Sequence, residues 1–425
     1  MKNGLLKIMF PGAVLMVLFL SMTGCTFSPG DEGSEKTLKV GVLGPFSGRA
    51  AGVGAEFTGA VELAFEQVDY TIGDYNVEIV WIDSQSDPER ATRAYEHAAV
   101  NENIDVCILN YHSSVAIAAM DVAARNKLPH FFGIGGTEII NEKFEYDPVY
   151  YSYYMGKTWP SPEKLTGAYI EALEYAVDIG AWEPRNNRAA IYGENTEWGK
   201  SFGSAMALDF EKAGWEIVGK KYFTTGAINL EPLMGALQDM DASVIAGSIA
   251  TAPSLAAFIQ QTSETGLESV IIADGLGWVG DWHSMTGSSS DYVLDQVPGW
   301  NNEKAAQFVS DFDERYGYKP SASSGGLVYD KTAFFIKIAN ETLAEHGELN
   351  RETFYRYGQD YVLTGRTSLK GGIVMDEYKY TPDSVPDPVV GDGYFIFPVV
   401  QYYQGDRSVI WPAAWKDADF KSPAY

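Results

Sequence analysis

The sequence predicts an α/β protein of two successive lobes, each a parallel sheet with helices on both faces. Three observations lead there. From Leu38 onward, short apolar runs of strand length alternate with longer runs of helical periodicity, the pattern of βαβ units. The alternation breaks at the aromatic, turn-rich stretch Tyr150 to Pro162 and then begins again. A chain of 425 residues, 46% apolar and 21% charged, is long enough for two cores and is neither disordered nor fibrous in composition.

The first strand runs into Val40-Gly-Val-Leu-Gly-Pro-Phe-Ser-Gly48, where Gly44, Pro45, Ser47 and Gly48 stop it and a helix follows from about Glu56 to Val68. Next come a strand at 77–82, a helix from Pro88 to Val100 with proline in its first turn, the buried strand 106–109, a helix from Ala116 to Asn126 and a short strand at His130. The second series has a helix at 164–178, strand 188–192, the turn Gly193 to Gly199, a helix to Ala213 and strand 216–218. Helix 231–240, strand 243–246, helix 255–265 and strand 269–273 complete it. Amphipathic helices at 302–316 and 329–346 and hairpin-type strands at 367–376 and 393–403 are too short and mixed for a third core. They are expected to return and cap the two lobes. The chain then crosses between lobes three times, near Tyr154 to Thr158, Gln296 to Trp300 and Val362 to Arg366. Lobe I is expected at 38–156 plus 300–362, and lobe II at 157–299 plus 363–425.

The amino terminus reads as an export signal over residues 1–24. Lys2 and Lys7 precede the apolar run Ile8 to Leu20, which falls short of the ~20 residues a spanning helix needs. Gly24 before Cys25 matches a lipoprotein processing site, with lipid on Cys25 as anchor and residues 25–37 as tether; a secreted protein cut nearby is the alternative. Cys107, inside an apolar run, is then expected to be a buried strand thiol. The net charge is −26, and removal of residues 1–24, with two lysines and no acid, leaves about −28. Such a surface repels nucleic acid and anionic lipid head groups.

Gly44-Pro-Phe-Ser-Gly48, Gly52-x-Gly54 and the helix Glu56-Phe-Thr-Gly-Ala-Val-Glu-Leu-Ala64 resemble the opening of the type I periplasmic binding proteins of the leucine/isoleucine/valine-binding and amide/urea-binding group. Matching segments continue in the family's order: Trp81 to Pro88, Asn195 to Lys200, Ala273 to Gly277, Leu327 to Asp330 and Leu369 to Asp376. The resemblance implies a Venus flytrap of two Rossmann-like lobes joined by a three-strand hinge. It implies an extracytoplasmic, lipid-anchored monomer that delivers a branched-chain or other small amino acid to an ABC permease. Capture of an amide, urea or another small polar solute, or sensing without transport, is the alternative.

The resemblance also assigns contacts. In Tyr111-His-Ser-Ser114 the carboxylate role falls to Ser113 or Ser114; in the next loop it falls to the Gly135 backbone and Thr137. Helix capping is the competing account of Ser114 and Thr137. Asp274, at a strand end, is placed to hold an ammonium, or alternatively to bond its own turn. Trp198 stands where the family has an aromatic over the ligand. Val53 and Thr251 replace family aromatics, and His112 adds a polar group, so specificity departs from the branched-chain binders.

Catalysis is not indicated. The histidines at 97, 112, 130, 283 and 346 form no metal-ligand spacing, and no G-x-S-x-G elbow occurs. Gly275-Leu-Gly-Trp-Val-Gly280 has dinucleotide spacing but lacks the small-residue helix that must follow. No cofactor and no metal are expected.

Overall fold

The computed structural model describes residues 36–278, 282–300 and 303–423. The export signal, Cys25 and nearly all of the tether lie outside the described residues. In chain order the first half contains β1 (Lys36–Gly44), α1 (Ala51–Glu66), β2 (Thr71–Ile72), β3 (Tyr75–Asp83), α2 (Pro88–Val100), β4 (Val106–Ile108), α3 (Ser113–Arg125), β5 (His130–Gly133), α4 (Glu138–Tyr146) and β6 (Tyr154–Lys157). There follow α5 (Gly167–Asp178), β7 (Arg188–Glu194), α6 (Glu197–Lys212), β8 (Glu216–Phe223), α7 (Glu231–Asp239), β9 (Val244–Ser248), α8 (Ala252–Thr265), β10 (Val270–Asp274), α9 (Trp282–Thr286) and β11 (Leu294–Gln296). The last part holds α10 (Glu303–Tyr316), α11 (Leu327–His346), α12 (Arg351–Tyr357), β12 (Leu369–Lys370), β13 (Glu377–Tyr378), β14 (Val399–Tyr403) and β15 (Asp406–Trp411).

Two large sheets form, ordered β2-β3-β1-β4-β5-β6 and β15-β14-β11-β10-β9-β7-β8, and β12 and β13 make a separate antiparallel pair. Within the large sheets pairing is parallel except at the edges, where β2 joins β3 and β14 joins β11 and β15 antiparallel. In β1, Val40, Val42 and Leu43 have no exposed surface, as a strand covered on both faces requires. The opposite behaviour appears at β8, which runs to Phe223 rather than stopping near Val218. It is an edge strand, so Lys220 and Lys221 can be exposed in it.

The returning segments cap the lobes, but one boundary differs from expectation. Helices α10 and α11 pack on α1 of the first lobe. Residues 367–380 stay with that lobe too: the Asp330 carboxylate on α11 accepts from Ile373 N, Val374 N and the Tyr378 hydroxyl at 2.9, 3.0 and 2.6 Å. The third crossing therefore falls after Tyr380 and before β14, not near Val362 to Arg366. A buried carboxylate needs several donors, and this segment supplies three.

Where the chain passes between lobes, Asp387 is fully buried between Lys157 Nζ at 2.7 Å and Lys164 Nζ at 2.8 Å. It also accepts from Ser161 N, Ser161 Oγ and Asn141 Nδ2. The cluster ties the end of β6 to the final crossing.

Candidate functional site

All the loops that matter leave the carboxyl ends of strands, where open α/β sheets bind ligands. Two such edges face each other and enclose an inner chamber of about 90 Å³. The first lobe contributes Arg49 after β1, Ser86 after β3, Tyr111 to Ser114 after β4 and Gly136 after β5. The second contributes Trp159 just past the crossing that follows β6, Glu194 at the end of β7, Trp198 on α6, Ala250 and Thr251 after β9, and Trp278 after β10. An outer cavity of about 660 Å³ continues from it, sharing Arg49, Tyr111 and Trp278 and adding Val53, Glu56 and Lys319.

The lobes touch around the chamber. Ser323, in the turn before α11, donates to Gly277 O of the second lobe at 3.2 Å. Gly136 lies so close to Trp198 and Trp159 that a Cβ there would sit 2.7 Å from one ring and 3.0 Å from the other. The rings of Trp159, Trp198 and Trp278 pack on one another, with centroids 5.6 to 6.5 Å apart and planes 55° to 87° apart. Together they make one continuous apolar wall.

Five buried polar atoms on the chamber wall have no partner in the described structure: Ser86 Oγ, Tyr111 OH, His112 Nε2, Trp159 Nε1 and Trp278 Nε1. Leaving such a group unsatisfied costs about 1–3 kcal/mol, so their convergence marks a place for a bound molecule. Burial, helped by the Arg49 charge, pushes the His112 imidazole down to about 4, so it is neutral near pH 7. Burial also pushes the Tyr111 hydroxyl up, reinforced by Glu56 and Glu194.

Of the residues expected from the sequence, His112, Ser113, Ser114, Trp198 and Thr251 line the inner chamber and Val53 the outer cavity. Helix α3 begins at Ser113, three residues earlier than the periodicity predicts. Both serines thus fall in its first turn, among unpaired backbone N–H groups.

Three expected contacts are displaced. Gly135 packs on Ala116 and spends its N–H on Asn110 Oδ1 at 3.0 Å, so the neighbouring Gly136 takes the wall. Thr137 is fully buried and caps α4, accepting from Ile139 N at 3.4 Å. Asp274 is 2% exposed and lies behind the wall, accepting from Tyr169 OH at 3.1 Å and Ser248 Oγ at 3.0 Å. Ser248 Oγ in turn accepts from Trp198 Nε1 at 2.7 Å, so Asp274 reaches the chamber only through that chain. Burial and the nearby Asp295 charge push Asp274 well above the usual carboxylate range. Asp295 accepts from Gly275 N, Gly277 N, Gln296 N and Tyr402 OH.

Sequence reasoning missed Arg49, Trp159, Glu194 and Trp278. Glu194 could have been found as an acid ending a buried strand. Trp278 stood within the glycine pattern set aside as a chance match.

The sequence profile of a family described as periplasmic binding protein matches residues 37–369. A Leu/Ile/Val-binding protein homolog from Brucella abortus is 22% identical over 299 residues, which are 67% of this chain and 71% of the relative. The fold is similar to that of a putative branched-chain amino acid ABC transporter protein from Silicibacter pomeroyi, with TM-score 0.74 at 17% identity over 91% of this chain and 99% of the other. It is also similar to a solute binding protein of an ABC transporter from R. palustris in complex with benzoate, with TM-score 0.69 at 17% identity over 92% and 100% of the two chains.

Proposed function

We propose, from the premise that this chain belongs to the periplasmic binding protein family, that it captures one small carboxylate-bearing solute between its lobes outside the cytoplasm and delivers it to an ABC permease. The observation that carries this reading is the set of unpartnered polar atoms converging on a chamber walled by both lobes. A ligand satisfying both walls favours the closed form by its contacts with the second lobe alone. Ser113, Ser114 and the opening turn of α3 are the anion-binding side. Of the expected branched-chain or other small amino acid, this reading keeps the carboxylate end; the Brucella abortus relative carries a Leu/Ile/Val-binding name.

The reading includes no turnover of the solute, and attachment to the membrane by lipid on Cys25. Lobe I is taken as 38–156 with 300–380 and lobe II as 157–299 with 399–425, a revision that follows the contacts of residues 367–380. Titration calorimetry of the protein with small carboxylates tests the central part. One-to-one binding that Ser114→Ala and Trp198→Ala both weaken supports it, and binding insensitive to both changes refutes it.

A further inference from the structure

We infer that the solute held in the inner chamber is a small organic carboxylate with a flat, apolar body and no ammonium group. This rests on the chamber being the solute site, and it follows from what the wall offers. Indole N–H groups donate and cannot accept. Trp159 Nε1 and Trp278 Nε1 are buried, unpartnered and both on the chamber wall. The hydroxyls of Tyr111 and Ser86 add donors, and the neutral His112 ring can serve as donor or acceptor. An ammonium carries only donors, so it satisfies neither indole. Carboxylate oxygens and a second acceptor satisfy both.

Charge points the same way. The Arg49 guanidinium lines both cavities, and among the described residues it donates only to Ser86 O at 3.4 Å, which leaves most of its fork for an anion. The acids nearby also serve the fold. Glu194 accepts from Gly226 N at 3.4 Å and Ala250 N at 3.1 Å, fixing the loops after β8 and β9. Glu197 stands in the first turn of α6, where a carboxylate stabilises the helix. Asp274, the expected ammonium partner, is behind the wall, where it accepts from Tyr169 OH and Ser248 Oγ.

The shape of the body follows from the three indoles. Their mutual contacts, with centroids 5.6 to 6.5 Å apart, leave no box between the rings for a cationic head group, and a single indole on the wall is a surface against which a planar apolar group packs.

The test uses matched pairs that differ only in the ammonium: 3-phenylpropanoate against phenylalanine, and 4-methylpentanoate against leucine. Each is titrated calorimetrically into the wild-type protein, Trp278→Phe and Trp159→Phe. The expected result is that each ammonium-free member binds at least tenfold tighter than its amino acid and that the aromatic acid is the tighter of the two acids. Either Phe variant, which keeps a ring but loses the N–H, should weaken the acids by about tenfold or more. Preference for the amino acids, equal affinity within pairs, absence of binding by all four, or Phe variants with wild-type affinity would each overturn the inference. Failure of the capture reading is told apart by a separate readout. If a pooled extract of small metabolites leaves tryptophan fluorescence and small-angle scattering unchanged, capture itself fails; if it induces compaction while the acids do not bind, only the ligand class is wrong.

Discussion

Replacing Asp387 by alanine should be among the most damaging single changes in the second half of the chain. Lys157 Nζ is fully buried, 2.7 Å from Asp387 and also bonded to Gly136 O at 3.2 Å and Asn141 Oδ1 at 2.8 Å. Burial pulls the Lys157 pKa down while Asp387 holds it up. Burial likewise pushes Asp387 up, but the charges of Lys157 and Lys164 outweigh it and leave the carboxyl below its usual range. Removing the aspartate strands a buried ammonium, a loss of about 3–5 kcal/mol. Lys164 is 33% exposed, so its share is screened and adds at most about 1 kcal/mol. Urea unfolding followed by circular dichroism measures the total. The double variant Lys157→Met with Asp387→Leu should recover most of the loss, because a matched apolar pair avoids the desolvation of two charges. Since Gly136 lines the chamber, the single variant should weaken solute binding as well. A loss below about 1 kcal/mol for Asp387→Ala, or a double variant no better than the single one, would refute the reasoning.

Three other outcomes are expected. Asp274→Asn should change solute affinity less than twofold, because its carboxyl lies behind the wall and reaches the chamber only through Ser248 and Trp198; a tenfold loss in calorimetry would restore its role as a direct contact. Thr137→Ala should cost about 1 kcal/mol in urea unfolding, as the loss of an N-cap does, with affinity unchanged. Burial pushes Glu56 up to about 7, against donors Ser321 Oγ, Gly325 N and Ser321 N. An acid with a raised folded pKa binds extra protons on folding, so its contribution is greatest below about pH 4.5 and is lost as pH rises through 7. Glu56→Gln should therefore flatten that part of the stability–pH curve in differential scanning fluorimetry, and an unchanged slope would contradict the assignment.

Much of the fold was legible because two-sided burial leaves a plain mark: Val106 to Ile108 and Val270 to Ala273 can be little but inner strands of an α/β protein. The three-residue β11 was not, since its middle residue is Asp295, a buried acid satisfied by four donors that only the folded chain brings together. At the site, the strand-end loops were readable and the division of labour within them was not. Whether Thr137 caps a helix or meets a solute depends on where its hydroxyl points in the folded loop, and both readings use the same residue. Asp274 was misplaced for a related reason. A strand end points toward the cleft, but Ser248 and Trp198 stand between its carboxyl and the chamber. Trp159 and Trp278 gave no signal, because an indole becomes informative only when its N–H is seen buried without a partner.

The most direct test is a crystal structure of the protein with its co-purified or added solute. The account predicts density in the inner chamber touching Arg49, Tyr111 or Ser114 from one lobe and Trp198 or Trp278 from the other. Solute bound elsewhere, or held by one lobe with the indole N–H groups still unpaired, would contradict it.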